Sequence, residues 1–295
     1  MWWEPPRSHR PHVAGQLAFS CQQKVLAALS SQRLDRTPGQ AFVYSDISMI
    51  TLMYVVGHLA RGHVSDTDLM SSCVGSVASS PLAGGGLISS TDQCFYEAFV
   101  RLFVIQPLAL PGRFIGFLPP RSKWAEAAPT WNDTISGFPG ECIQPYRERI
   151  LQGEVSDGNS YAMGGISGHA GLFAGAPELL GLLQELVSAP TVPAPGSIGI
   201  NATTAQKFTT VHNETQSSRA LGWDTNAGSY MGCGNWSGAT FTHTGYTGTM
   251  LCADSARGLV AVLLTNRVYP RADDESEKAI HEVRQQFSNA VLEAV

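Results

Sequence analysis

Residues 239–294 constrain the fold more than any other part of the chain. Three short β-rich runs, 239–245, 249–253 and 258–265, follow one another closely. The last two are joined by Asp254-Ser255-Ala256-Arg257, with Gly258 closing the turn. A connection that short pairs two strands antiparallel. The spacing then predicts a long helix over 274–294, whose apolar Ile280, Val283, Phe287 and Val291 fall on one face. An antiparallel meander followed by an amphipathic helix implies an α+β architecture with that helix packed on the sheet.

Upstream the pattern is helical. Apolar residues at 49, 52, 53, 56 and 59 share one face, and Asp46 stands where an N-cap belongs. The first forty residues are polar and Pro-rich, with one short apolar helical stretch at 25–29. Residues 65–93, rich in Ser, Gly and Ala, read as a disordered or loop insertion. Helical character returns at 95–108. Segment 107–153 is loop-rich. A helix opened by Pro177 is expected over 177–188, and another over 201–208. No internal repeat is visible.

Composition excludes several classes. Of 295 residues, 43% are hydrophobic and 15% charged, which is too apolar for a disordered chain. With 19 basic against 24 acidic residues there is no basic footprint for nucleic acid, so no nucleic-acid partner is expected. No apolar run reaches the ~18 residues of a membrane span; the nearest, 47–60, is shorter and contains His58. The first six residues lack a basic region followed by an apolar one, so a signal peptide is not expected.

The six cysteines (21, 73, 94, 142, 233 and 252) form no C-x-x-C pair, and the expectation is free thiols, which favours a cytoplasmic location. Four N-x-[ST] sequons, at Asn132, Asn201, Asn213 and Asn235, point weakly the other way. His58, His63, His169 and His243 show no H-x-x-x-H spacing, so neither a metal nor a cofactor is expected.

Three segments carry chemistry. Tyr44-Ser45-Asp46 lies at a helix start, where a phenol can project into a cleft. His243-Thr244-Gly245-Tyr246 follows a β run. On a strand His243 and Gly245 face one way and Thr244 the other. Gly245 leaves room for substrate backbone against the sheet, and the Tyr246 N–H can serve as an oxyanion donor. Gly164-Gly165-Ile166-Ser167-Gly168-His169-Ala170-Gly171 narrowly misses the G-x-S-x-G nucleophile elbow, because His169 stands in place of the last Gly. It reads as a turn where backbone runs close to a helix, with Ser167 as the alternative nucleophile.

Together these segments resemble the serine β-lactamase-like family, which includes class C β-lactamases, D-Ala-D-Ala carboxypeptidases and related esterases. Tyr44-Ser45-Asp46 resembles the family's Tyr-x-Asn element. His243-Thr244-Gly245 resembles its Lys-Thr-Gly element, in the His-Thr-Gly form of some carboxypeptidases. Flanking text agrees at 42–62, 153–159, 168–173 and 258–268. The resemblance covers roughly 20–295 and implies a β-lactamase/transpeptidase-like α+β fold. Its antiparallel sheet would carry the C-terminal helix, beside a helical region. It implies Tyr44 and His243 as catalytic residues. Asp46, Thr244, Gly245 and Tyr246 would bind a small-molecule, peptide or ester substrate.

Three departures shape the functional expectation. No Ser-x-x-Lys occurs in the chain; the nearest string is Cys21-Gln22-Gln23-Lys24. Asp46 replaces Asn, and an ionised carboxylate cannot donate a hydrogen bond. His243 replaces Lys and removes a permanent cation. The resemblance therefore implies one β-lactamase-related domain over 1–295, truncated at its N-terminus and lacking the N-terminal strands. It would be inactive as given. Alternatives are a non-catalytic binding or scaffold protein, or a hydrolase using Ser167 or Cys21. Without those strands the 258–265 edge is expected to be unpaired and open to self-association.

Overall fold

The computed structural model describes residues 17–71, 73, 88–133, 147, 149–226 and 232–295. They divide into two compact units. One takes the described residues within Met1–Gln106, Gly116–Ala128 and Asn132–Phe173; the other takes those within Pro107–Ile115, Pro129–Trp131 and Ala174–Val295.

The first unit is mainly helical. Helix α1 (Leu17–Ser31) extends well beyond the expected 25–29 stretch. Helix α2 (Asp46–Ala60) is apolar nearly all round, and it buries Ile50, Met53, Tyr54, Gly57 and Ala60. Helix α3 (Asp92–Val100) packs on it. Gly57 permits this approach, since a Cβ there would sit 1.8 Å from the Asp92 carbonyl oxygen. The fully buried Asp92 carboxylate is neutralised by Arg61. Past α3 the helix widens into a π turn, Arg101–Ile105. Two-residue strands β1 (Gly116–Phe117) and β2 (Leu172–Phe173) pair antiparallel. A short helix, α4 (Gly158–Ala162), is capped by Asp157.

The expected insertion at 65–93 has residues 72 and 74–87 outside the described residues. Its flanks are part of the core: Val64, Leu69 and Cys73 pack with Cys94, Phe95 and Ala98.

The second unit follows the meander pattern. Strands β3 (Asp224–Thr225), β4 (Thr240–Thr244), β5 (Met250–Asp254) and β6 (Leu259–Leu263) form one antiparallel sheet in that order. Period-2 alternation assigns the faces. Phe241, Leu251, Ala253, Val260 and Val262 meet Leu182, Leu183 and Leu186 of helix α5 (Ala176–Val187). Met250, Cys252, Leu259, Ala261 and Leu263 meet Phe287, Val291 and Leu292 of helix α7 (Asp274–Glu293). Between these helices in sequence lies α6 (Ala202–Thr209), capped by the Asn201 side chain. The β5–β6 turn is held by Asp254, fully buried, which accepts from the N–H groups of Ser237, Ala256 and Arg257. The terminal helix, the hairpin and the Pro177-initiated helix all form where the sequence places them.

The expectation of free thiols is overturned. Cys73 is bonded to Cys94, and Cys233 to Cys252, across 21 and 19 residues of sequence. The absence of C-x-x-C was a poor guide, because folding brings these partners together. Cys94 lies in the first turn of α3, and Cys252 lies mid-strand facing α7. Structural disulfides persist where conditions are oxidising, so the cysteines no longer argue for a reducing compartment. Cys142, and the side chain of Cys21, lie outside the described residues.

Candidate functional site

The His243–Tyr246 segment ends β4 and turns into Gly248 before β5 begins. Gly245 N–H donates to the Thr249 carbonyl at 2.8 Å, and Gly248 N–H donates to the Gly245 carbonyl at 3.0 Å. Two glycines are required here. A Cβ on Gly245 would lie 2.2 Å from Thr249 Oγ1. Gly248 sits at φ +111, and a Cβ there would meet Thr265 Oγ1 at 2.5 Å.

His243 is half-buried and lies on the α5 side of the sheet, in register with Leu251. Its Nδ1 is 2.9 Å from the Thr244 carbonyl oxygen. A carbonyl only accepts, so Nδ1 carries the hydrogen and Nε2 is left with its lone pair. Burial and the nearby Arg219 charge push the imidazole below its usual pKa, outweighing the Thr244 hydrogen bond and the Asp224 charge. Arg219 and Asp224 are themselves ion-paired at 3.2 Å. His243 is thus a neutral base near pH 7.

Three residues brace this segment from behind. Arg284, 4% exposed on α7, donates through Nη2 to the carbonyls of Gly245 (2.9 Å) and Thr249 (3.1 Å). Arg267 donates through Nε to the Tyr246 carbonyl at 2.9 Å and lies 4.6 Å over the Tyr246 ring. Thr265 Oγ1 donates to the Gly248 carbonyl at 2.8 Å. Tyr246 itself is 64% exposed.

In the first unit, Tyr44 is exposed and Asp46 opens α2. The cap differs from expectation. Ser45, with extended backbone, accepts from Ser48 N–H and is the N-cap; Asp46 is the first helical residue. There its carboxylate favours the positive end of the helix dipole.

Two polar side chains of the glycine-rich turn 164–171 form a chain with Asp157, the cap of α4. Ser167 Oγ lies 2.7 Å from His169 Nδ1, and His169 Nε2 lies 3.0 Å from Asp157 Oδ1. Burial alone would raise the Asp157 pKa. The His169 contact and the Ser160 and Asn159 N–H groups outweigh it and hold the carboxyl below its usual value. An ionised Asp157 only accepts, so Nε2 carries the hydrogen and Nδ1 accepts from the Ser167 hydroxyl. Ser167 is 3% exposed. The turn is seated on α2, because a Cβ on Gly168 would lie 2.2 Å from the Met49 carbonyl oxygen. Gln93 ties it to α3 through the carbonyls of Met163 (2.8 Å) and Ile166. The expected close approach of backbone to a helix is what forms.

Among the described residues no group of His, Cys, Asp and Glu could hold a metal ion. No described helix is long and apolar enough to cross a membrane.

A family model described as Beta-lactamase matches residues 83–285, well over half of the sequence. The chain belongs to the Beta-lactamase family. A relative from Escherichia coli (strain K12), provisionally named a D-alanyl-D-alanine carboxypeptidase, is 27% identical over 94% of this chain and 57% of its own length. An N-acetylmuramyl-L-alanine amidase from Bacillus subtilis is 29% identical over 91% of this chain and 54% of its own. The chain thus spans about half the length of these relatives. A penicillin-binding protein homologue from Caulobacter crescentus superposes at TM-score 0.42 and 15% identity, covering 92% of this chain and 81% of the other.

Within this β-lactamase-family chain, His243, Thr244, Gly245 and Tyr246 come together on one strand end of the second unit, while Tyr44 and Asp46 belong to the first. Arg219, Arg267 and Arg284 were not singled out from sequence. Arg284 did leave a signal, as a lone cation four residues after Ile280 on the apolar face of α7. Arg219 left none.

Proposed function

We propose that this β-lactamase-family chain binds small-molecule, peptide or ester substrates along the His243-Thr244-Gly245 strand end, and that these 295 residues alone form no acyl-enzyme. The observation that carries the reading is the Nδ1–H bond of His243 to the Thr244 carbonyl, which leaves Nε2 with its lone pair as a proton acceptor. A substrate carbonyl laid against this strand end would meet the Tyr246 N–H as oxyanion donor. Tyr44 as acid/base phenol and Asp46 as substrate contact rest on the family resemblance alone. The names of the relatives, a carboxypeptidase and an amidase, support amide-bond substrates. Covalent chemistry of the Ser-x-x-Lys kind needs a Ser and a Lys at that spacing, which the sequence does not contain.

The test is incubation with a fluorescent penicillin, followed by intact-mass measurement and thermal melting. The expected result is a ligand-dependent rise in melting temperature with no mass adduct, lost in His243→Ala. A stoichiometric penicilloyl adduct overturns the reading.

The Ser167–His169–Asp157 chain favours a second reading, a hydrolase with a substitute nucleophile. Ser167 Oγ would attack an ester carbonyl as its proton passes to His169 Nδ1. The alcohol would leave with that proton, and water would release the acid. Ser167 is enclosed, so the turn must open for this to occur. Fluorophosphonate labelling mapped to Ser167, and lost in His169→Gln, supports this reading; an unlabelled Ser167 removes it without touching the first.

A further inference from the structure

The substrate reading leaves the four N-x-[ST] sequons unused, and the structure sorts them. Asn132 is half-buried in a two-residue strand and is followed by the buried Asp133. Asn201 caps α6, its side-chain oxygen accepting from the Thr204 N–H at 2.8 Å. Asn235 is exposed but lies between the buried Gly234 and Trp236, and the Ser237 hydroxyl of its sequon donates to the buried Asp254 at 2.8 Å. Of the four, Asn213-Glu214-Thr215 alone has all three residues exposed.

The local geometry at Asn213 suits an attachment there. The chain folds back on itself, with the N–H groups of Gln216 and Ser217 each donating to the Asn213 carbonyl at 3.1 Å. The Thr215 hydroxyl donates to Asn213 Oδ1 at 2.7 Å. That bond assigns the amide: Oδ1 is the acceptor, and Nδ2, the atom that carries a glycan, is left outside it. A sugar on Nδ2 replaces one amide hydrogen and keeps the Thr215 bond. Residues 212–216 are all exposed, so the added bulk is carried in solvent.

The disulfides are an independent observation. Cys73–Cys94 and Cys233–Cys252 are bonds of the kind that form and persist in oxidising compartments such as the lumen of the endoplasmic reticulum. Chains on that route are the ones whose surface sequons are glycosylated.

We propose that Asn213 is an N-glycosylation site, accepting an oligosaccharide from a polyprenyl-diphosphate donor. The bond between Nδ2 and the sugar's C1 forms as the bond between C1 and the diphosphate oxygen breaks. The diphosphate leaves with the electron pair, and the amide gives up one proton. This goes beyond the proposed substrate site and does not depend on it.

The test is translation of the 295-residue chain behind a cleavable leader with microsomes present, followed by peptide-N-glycosidase digestion and peptide mapping. The glycosidase converts a glycosylated Asn to Asp, so the peptide holding residue 213 should show that exchange after digestion and not before. Asn213→Gln should remove one glycan from the gel-mobility ladder. Thr215→Ala, which keeps the acceptor nitrogen, should remove the same one, and Thr215→Ser should keep it. Transfer acts on the chain as it enters the lumen, so the outcome is read whether or not a variant folds. An unmodified Asn213 in the translocated chain overturns the proposal, as does a glycan count unchanged in Asn213→Gln or a glycan on Asn213 that survives Thr215→Ala.

Discussion

Arg284 Nη2 lies 2.9 Å from the carbonyl oxygen of Gly245, which is 39 residues away in sequence. One buried guanidinium on the terminal helix thereby holds both ends of the turn that presents the His-Thr-Gly strand. Arg284→Met should lower unfolding free energy by ~2–4 kcal/mol, since charge-assisted hydrogen bonds are lost and two carbonyls lose a donor. Urea titration measures this. Exchange of the Gly248 amide, which donates to the same Gly245 carbonyl, should accelerate in parallel. Arg284→Lys should recover only part of the loss, because an ammonium lacks the planar fork. An unchanged urea midpoint in the Met variant would mean that α7 does not brace the strand.

His243 predicts a pH dependence of known sign. Burial and Arg219 lower its folded pKa below the unfolded 6.5. The unfolded chain therefore binds more protons in the window between the two values, and stability rises with pH across it. The penalty is full below the folded value and absent above the unfolded one. A proton-NMR titration should place the His243 midpoint below 6.5, and His243→Gln should flatten the stability profile in that window. A midpoint above the ordinary value would contradict the desolvation that sets the base.

Residues 239–294 were legible because their signals are local. Period-2 alternation, a four-residue turn and a stripe at 280, 283, 287 and 291 each depend on neighbours in sequence, and β4, β5, β6 and α7 follow from them. The Ser45 cap was misplaced by one residue, since Ser and Asp are both good caps and only backbone angle separates them. The disulfides and the Arg219–Asp224 pair near His243 were illegible for another reason. Cys73 meets Cys94 only where helical segments of the first unit pack, Cys233 meets Cys252 only once β5 is in place, and no short motif records either meeting or sets Arg219 and Asp224 near His243.

The Cys233–Cys252 bond gives a stability test. Both residues are fully buried, and the bond ties the turn at 233 to the middle of β5. Replacing both with Ser should cost ~2–4 kcal/mol through a less constrained unfolded chain, and more if the hydroxyls go unsatisfied. Reductant should lower the melting temperature of the parent protein and leave this bond's contribution absent in the double variant. Thiol titration of the unfolded, unreduced protein should detect no thiol from residues 73, 94, 233 or 252; any of these four titrating would refute the pairing.

The Ser167–His169–Asp157 chain predicts coupling whichever reading of Ser167 holds. The Asp157 carboxylate accepts from the Ser160 and Asn159 N–H groups at the start of α4 and from the His169 ring that holds the glycine turn on α2. Its folded pKa is depressed, so its stabilisation is complete above the unfolded value near 3.9 and is lost as pH falls through the lower folded value. Asp157→Asn should therefore destabilise at neutral pH and abolish this acid-sensitive component. Ser167→Ala leaves Nδ1 without its donor, and His169→Phe leaves the Ser167 hydroxyl without its acceptor and Asp157 without the ring N–H. Single losses of ~1–3 kcal/mol are expected, larger for His169 because two contacts go. In a double-mutant cycle the two substitutions should couple by ~0.5–1.5 kcal/mol, since the second removes a bond already broken by the first. Strict additivity in urea titrations would show that the hydroxyl and the imidazole do not share a proton in solution.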